Sequence, residues 1–211
     1  RVLFRSRDAG PDKAAPIFIV GFNGSGTTML AECLGRHPEI YSFPGESRLI
    51  PFFLQREADL ANLTDDADFL RVWKKILQKV PAFRRANGGR LPRIPTDWRS
   101  AERSVAGIFD ATFRAFAARE GKRRWCEKSP QNLQHIEQIA AAFPRAKFVH
   151  IIRDGRDCAA SLHRRWRRTP ELTLFRWLRT IEDARLQGAR LGDRYYELRY
   201  EDLTSQPRIW L

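Results

Sequence analysis

The sequence predicts an α/β fold, a parallel sheet flanked by helices, with a mostly helical insertion over residues 52–123. Three observations carry that expectation. Two short β-prone runs, Ile17-Phe18-Ile19-Val20 and Lys147 to Ile152, are largely apolar, as strands buried in a parallel sheet are. Each is followed by a turn and then by apolar residues at helical spacing, the order of a βαβ unit. The 211 residues are 43% hydrophobic, with 14 Phe and 6 Trp, which is material for one core and one domain over residues 1–211. The same numbers exclude a disordered chain, a collagen-like repeat and a disulfide-stapled miniprotein.

Taken in order, Pro16 precedes the first strand, which stops at Gly21. A glycine-rich turn, Gly21 to Gly26, leads into a helix from Thr27 to Arg36 with Leu30, Cys33 and Leu34 on one face. His37-Pro38 ends it, because proline disfavours α geometry in the residue before it. From Phe52 to Trp125 the pattern is mostly helical. Phe69, Leu70, Trp73, Ile76, Leu77 and Val80 form one stripe behind the acidic first turn of Asp65 and Asp66, and Val105, Phe109, Thr112, Phe113 and Phe116 form another. Ala82 to Arg99, rich in Pro, Gly and Arg, reads as a long loop between them.

Trp125-Cys126-Glu127 reads as a short strand. Ser129 is an N-cap with Pro130 at the first helical position, and Ile136, Ile139, Ala140 and Phe143 supply that helix's face. After the strand Lys147 to Ile152, Arg153-Asp154-Gly155 turns into a helix with Cys158, Leu162 and Trp166 inward. A further helix spans about Leu174 to Leu186, and Tyr195 to Tyr200 is a final strand. Strands alternating with helices imply a doubly wound parallel sheet.

Charge narrows the function. Lys and Arg number 38 against 25 Asp and Glu, for a net +13, and only seven of the 38 are lysines. Arginine's planar fork of donors suits phosphate and sulfate groups, so a polyanionic ligand is indicated. No zinc-finger or RNA-recognition signature is present, and no nucleic-acid partner is expected. Cys33, Cys126 and Cys158 are odd in number and far apart, which points to a reducing compartment, cytoplasmic in a bacterium. No run approaches the roughly 20 apolar residues of a transmembrane helix. The opening RVLFRSRDAG is not a signal peptide, although a removed leader or anchor stays open.

Two segments carry phosphate chemistry. Gly21-Phe22-Asn23-Gly24-Ser25-Gly26-Thr27-Thr28 nearly fits G-x-x-x-x-G-K-[ST], so the loop is P-loop-like. Its glycines let backbone N–H groups form an anion nest at a helix N-terminus. The lysine that contacts the terminal phosphates of a nucleoside triphosphate is replaced by Thr27, which argues against an ordinary ATPase or GTPase. A second site follows the other strong strand. Arg153 stands at its C-terminal end, where open parallel sheets bind ligands, with Ser161 and Arg165 on one face of the next helix. Together the two describe a nucleotide with phosphates at two separated places.

PIFIVGFNGSGTT, GESRLIPFF, EKSPQNL, KFVHIIRDGRDCAAS and YYELRYEDL, in this order, resemble sulfotransferases that use 3′-phosphoadenosine-5′-phosphosulfate (PAPS), above all the tyrosylprotein sulfotransferases and related bacterial enzymes. The motifs span Pro16 to Leu203 but leave about Arg56 to Arg123 uncovered. The resemblance implies the sulfotransferase fold and transfer of a sulfonate from PAPS to an acceptor hydroxyl on a peptide tyrosine, a sugar or a lipid, releasing 3′,5′-adenosine bisphosphate (PAP). No metal is required. It implies that Asn23, Gly24, Ser25, Gly26, Thr27 and Thr28 hold the 5′-phosphosulfate, that Arg153, Ser161 and Arg165 hold the 3′-phosphate, and that Tyr200 lies near the adenosine. Glu46 is then the general base and Lys128 the cation at the sulfonate, while Arg48 would hold an acidic acceptor such as an acidic peptide. A homodimer is compatible with this reading.

Two departures stand out. Gly24 occupies a position where the family usually has Arg or Lys, and the chain ends soon after YEDL, where similar enzymes continue, so its C-terminus is expected to be incomplete. The competing readings are a P-loop kinase-like nucleotide enzyme and a PAPS- or polyanion-binding module without catalysis.

Overall fold

The computed structural model describes residues 15–60 and 62–210, so the reading of the first ten residues lies outside the described residues. Five strands form one sheet: β1 (Ile17–Val20), β2 (Ile40–Ser42), β3 (Arg124–Lys128), β4 (Lys147–Ile152) and β5 (Tyr195–Arg199). Their order is β2-β3-β1-β4-β5 and every pairing is parallel. β1 lies in the centre, in register with β3 from Ile17↔Cys126 and with β4 from Ile17↔Lys147. All four of its residues are buried, as expected of a central strand covered on both faces.

Because strand side chains alternate between faces, the sheet sorts its apolar residues into two cores. Ile17, Ile19, Cys126, Val149 and Ile151 face α1 (Thr27–Gly35), which adds Leu30 and Leu34. Phe18, Val20, Trp125 and Phe148 face a larger layer made by the chain between β2 and β3. That layer comprises α2 (Ile50–Gln55), α3 (Glu57–Leu60), α4 (Asp66–Lys79), α5 (Pro81–Ala86) and α6 (Val105–Arg119). After β3 come α7 (Ile136–Ala142), α8 (Gly155–Trp166) and α9 (Pro170–Ala189), and after β5 the short α10 (Tyr200–Ser205) and α11 (Pro207–Trp210).

The two predicted stripes are the inner faces of α4 and α6. The Asp65 side chain accepts from the Asp68 N–H at 2.9 Å and Ser104 from the Gly107 N–H at 2.9 Å, so each helix begins on a capping side chain. The helices are joined by a buried hydrogen bond, in which the Trp73 indole N–H donates to Thr112 Oγ1 at 2.9 Å. Phe113 then links the layer to the sheet, its ring centroid 4.6 Å from that of Trp125, 5.5 Å from Phe83 and 5.0 Å from Phe43.

Several local expectations are corrected. The supposed loop from Ala82 to Arg99 opens with helix α5, because Pro81 is pre-set for a first helical position and Phe83 is drawn into the core; a 3₁₀ turn closes it at Trp98–Ser100. Ser129 does not cap a helix: Pro130–Gln134 is a 3₁₀ turn, α7 starts only at Ile136, and the serine hydroxyl is engaged by Glu127. Trp166, expected inward, is 55% exposed at the last residue of α8, where the helix no longer holds it against the core. Helix α9 is longer than Leu174 to Leu186 at both ends. Tyr200 opens α10 instead of closing the last strand. β2 had no expectation at all. It is three residues long, too short to show a period.

Phe113 is fully buried among aromatic neighbours that a smaller residue leaves facing a void. Phe113→Ala is expected to lower the unfolding free energy by about 3–5 kcal/mol, read from urea denaturation. A loss below about 1 kcal/mol would show that the helical layer does not depend on this contact.

Candidate active site

The loop after β1 reverses direction through two glycines. Gly24 has φ +89° and Gly26 φ +94°, both in the left-handed region that other residues adopt only with strain. The loop also packs closely against its neighbours. A Cβ on Gly26 would stand 2.5 Å from the Tyr200 ring, and one on Gly24 would stand 3.1 Å from Leu162 Cδ1 and 3.4 Å from Ser161 Cβ. The missing basic side chain at Gly24 therefore belongs to a loop that closes directly onto α8. Thr27 begins α1, so the loop sits at the positive end of the helix dipole.

A cavity of about 780 Å³ opens over the C-terminal ends of the strands. Every site residue predicted from the sequence lines it except Ser25 and Lys128, both buried. Arg153, just past β4, binds the loop by donating from Nη1 to the Gly24 carbonyl at 3.2 Å. Its Nη2 reaches Asp157 at 3.3 Å, and its guanidinium carbon lies 4.4 Å from the Tyr200 ring centroid. Ser161 and Arg165, one turn apart on α8, line the same cavity. Two buried donors here, Ser25 Oγ and Arg153 Nε, have no hydrogen-bond partner among the described residues. Buried polar groups are normally paired, and orphaned donors beside a glycine nest fit phosphate oxygens.

Across the cavity, Glu46 sits between two cations. Its Oε1 accepts from Lys128 Nζ at 2.8 Å and its Oε2 from Arg48 Nε at 2.7 Å. The Lys128 side chain is only 10% exposed, whereas that of Arg48 is 63% exposed, so the lysine pairing is the less screened. Burial pushes the Glu46 carboxyl up, but Lys128, followed by Arg48, outweighs it and holds the group below the usual glutamate range. Arg48 itself has φ +58°, an unusual backbone for an arginine.

Sequence reasoning missed Glu127. Its side chain is fully buried at the end of β3, where Oε1 accepts from the Ser47 N–H and hydroxyl, each at 2.9 Å, and from the Ser129 hydroxyl at 2.5 Å. Oε2 accepts from Asn132 Nδ2 at 2.7 Å. Burial pushes this carboxyl above its usual range, against the pull of those donors. A glutamate beside Trp125 and Cys126 in a short predicted strand was the available signal; its partner at Ser47 lies 80 residues away. Glu32, Gln131, Trp166 and Arg168 also line the cavity without having been foreseen.

The sequence profile of the sulfotransferase family matches residues 16–211. The chain belongs to the sulfotransferase family. It is 26% identical over 211 residues to protein-tyrosine sulfotransferase 1 of Danio rerio, a match covering 92% of this chain and 50% of that protein. The protein-tyrosine sulfotransferase of Drosophila melanogaster is also 26% identical, over 208 residues, covering 92% of this chain and 36% of that one. The chain thus spans half or less of the length of these two relatives. Among solved structures, the sulfotransferase domain of the Synechococcus PCC 7002 olefin synthase matches with a TM-score of 0.57 at 25% identity, over 97% of this chain and 74% of that one. STF1 of Mycobacterium tuberculosis H37Rv shares the fold at a TM-score of 0.50 and 17% identity, over 93% of this chain and 65% of that one. The parallel sheet with its helical layers is the sulfotransferase fold.

Lys128→Met removes the better-shielded of the two cations on Glu46 and leaves burial in place. The Glu46 carboxyl is then expected to titrate above its wild-type position, as followed by ¹³C NMR of labelled glutamate. An unmoved titration would show that Arg48 alone holds the carboxylate.

Proposed function

We propose that this protein transfers a sulfonate from PAPS to an acceptor hydroxyl. The observation that carries the reading is the meeting of two anion-binding elements and a carboxylate–lysine pair in one cavity. The loop from Asn23 to Thr28 offers backbone N–H groups and hydroxyls for the 5′-phosphosulfate, while Arg153, Ser161 and Arg165 answer the 3′-phosphate and Tyr200 flanks the adenosine. When bound, PAPS supplies the sulfonate and departs as PAP.

The residues then divide the work. Glu46, kept ionised by its cations, takes the proton of the acceptor hydroxyl as that oxygen bonds to sulfur. The bond from sulfur to the 5′-phosphate oxygen breaks, and its electron pair stays on PAP. Lys128 stabilises the charge that develops at the sulfonate, together with the loop N–H groups. Drawing Lys128 toward the sulfonate weakens its hold on Glu46 and strengthens that carboxylate as a base once the donor is in place. Arg48, Arg165 and Arg168 give the cavity a basic rim suited to an acceptor with acidic groups, such as an acidic peptide. The free cysteines accord with a reducing compartment, and among the described residues no helix is long and apolar enough to cross a membrane.

Gly24, which brings no basic side chain and whose left-handed backbone strains any other residue, favours one alternative, a nucleotide-binding module without turnover. Glu46→Gln separates the two. An enzyme loses about 10²- to 10⁴-fold in kcat while PAP binding stays unchanged. A module has no PAPS-dependent transfer to lose. In the wild type, activity should persist above the depressed pKa of Glu46 and fall as the pH drops through it, since protonation removes the base.

Calorimetric titration tests the nucleotide assignment. PAP is expected to bind more tightly than 5′-AMP or ATP, and Arg153→Ala to weaken PAP at least about tenfold while affecting 5′-AMP less. Tighter binding of ATP with Mg²⁺ than of PAP would sink the sulfotransferase reading in favour of a kinase-like enzyme.

A further inference from the structure

We infer that Glu127 is a positioning residue that holds the backbone just after Glu46 in place, so that the Glu46 carboxylate meets Lys128; the inference rests on the sulfotransferase reading above. Glu127 and Lys128 are neighbours on β3, and the pleat sends them to opposite faces. Trp125, two residues before Glu127, faces the helical layer, whereas Cys126, two before Lys128, faces α1. Consecutive residues of one rigid strand therefore grip the Glu46 segment at two points. Lys128 takes the Glu46 carboxylate directly, and Glu127 takes the Ser47 N–H and hydroxyl.

The grip extends one residue further. The Ser129 hydroxyl donates to Glu127 at 2.5 Å and accepts from the Arg48 N–H at 3.1 Å. Both backbone N–H groups after Glu46 are thus held, one directly and one through a serine. The left-handed φ of +58° at Arg48 costs energy and persists only where surrounding contacts impose it. Here those contacts converge on Glu127. Ser47, Ser129 and Asn132 are all neutral, so a buried acidic side chain is committed to four hydrogen bonds with no ion pair among them. A role confined to core packing would be met by an apolar residue of similar size at less cost.

The test compares Glu127→Ala and Glu127→Gln with the wild type by two independent readouts. The first is PAPS-dependent transfer with PAP binding measured alongside. Glu127→Ala leaves the Ser47 and Ser129 donors without their acceptor. It is expected to lower kcat about 10- to 100-fold, the scale of an ångström-level misplacement, with the KM for PAPS and PAP binding unchanged. Glu127→Gln is expected to recover most of kcat. Its carbonyl can keep the three Oε1 contacts, and its amide can face Asn132 after that side chain flips, since Asn132 Oδ1 is buried and has no partner among the described residues.

The second readout is the ¹³C titration of Glu46, assigned by its disappearance in Glu46→Gln. The charged groups around this carboxylate are Lys128 and Arg48 in contact, with Glu32, Arg153, Arg165 and Arg168 elsewhere on the cavity wall. Loosening the Lys128 contact should move the Glu46 titration upward in Glu127→Ala and, in the active enzyme, carry the acid limb of the pH–rate profile with it. An unchanged kcat, an unmoved Glu46 titration, or a fall in PAP binding parallel to kcat would each overturn the inference. Should Glu127→Ala fail to fold, Ser47→Ala removes one donor to the same oxygen and is expected to change both readouts in the same direction. A wild type without transfer would sink the sulfotransferase reading alone, because the Glu46 titration still decides for or against Glu127.

Discussion

Parallel pairing of β1 with β3 on one side and β4 on the other is the constraint on which the cavity depends. When all strands run in one direction, their C-terminal ends lie along one edge and the connections leaving them share one space. Here each strand delivers a part. The glycine loop leaves β1, Glu46 follows β2, Lys128 ends β3, Arg153 follows β4 and Tyr200 follows β5. No two of these segments are close in sequence, and only the common strand direction brings them together.

The site also depends on how the fold treats buried charge. Lys128 and Glu127 are adjacent, both nearly or fully buried, and each would be costly if left alone. Lys128 is compensated by an opposite charge, Glu46, at the cavity wall. Glu127 is compensated by neutral donors on the other face of the sheet. The first solution leaves a carboxylate–lysine pair at the cavity wall, and the second a buried knot of hydrogen bonds. Their adjacency on one strand ties the carboxylate–lysine pair to that knot.

The parts of the fold legible in the sequence were those with a local physical signature. β1 and β4 announce themselves by short apolar runs, α4 and α6 by apolar stripes, the first behind an acidic turn, and the glycine loop by its run of glycines between strand and helix. β2 left no such trace, since three residues in an edge strand owe their conformation to pairing with β3. Trp166 misled because its spacing from Leu162 is helical while the helix ends at that residue. Ser129 and Pro130 make a good helix start, but the serine hydroxyl was taken by a buried carboxylate, which outweighs a cap.

Residue types, spacing and charge by themselves determined the alternation of strands and helices, two anion-binding segments and an arginine excess suited to a polyanion, because each arises from neighbours along the chain. The tertiary structure alone decided that Glu46 is held by Lys128, that Arg153 lies over Tyr200 and binds the Gly24 carbonyl, and that Glu127 anchors Ser47. Those contacts join residues 47 to 129 positions apart, or in the Glu127 case 80, where no local pattern can encode the partner and only the packing of the sheet selects it.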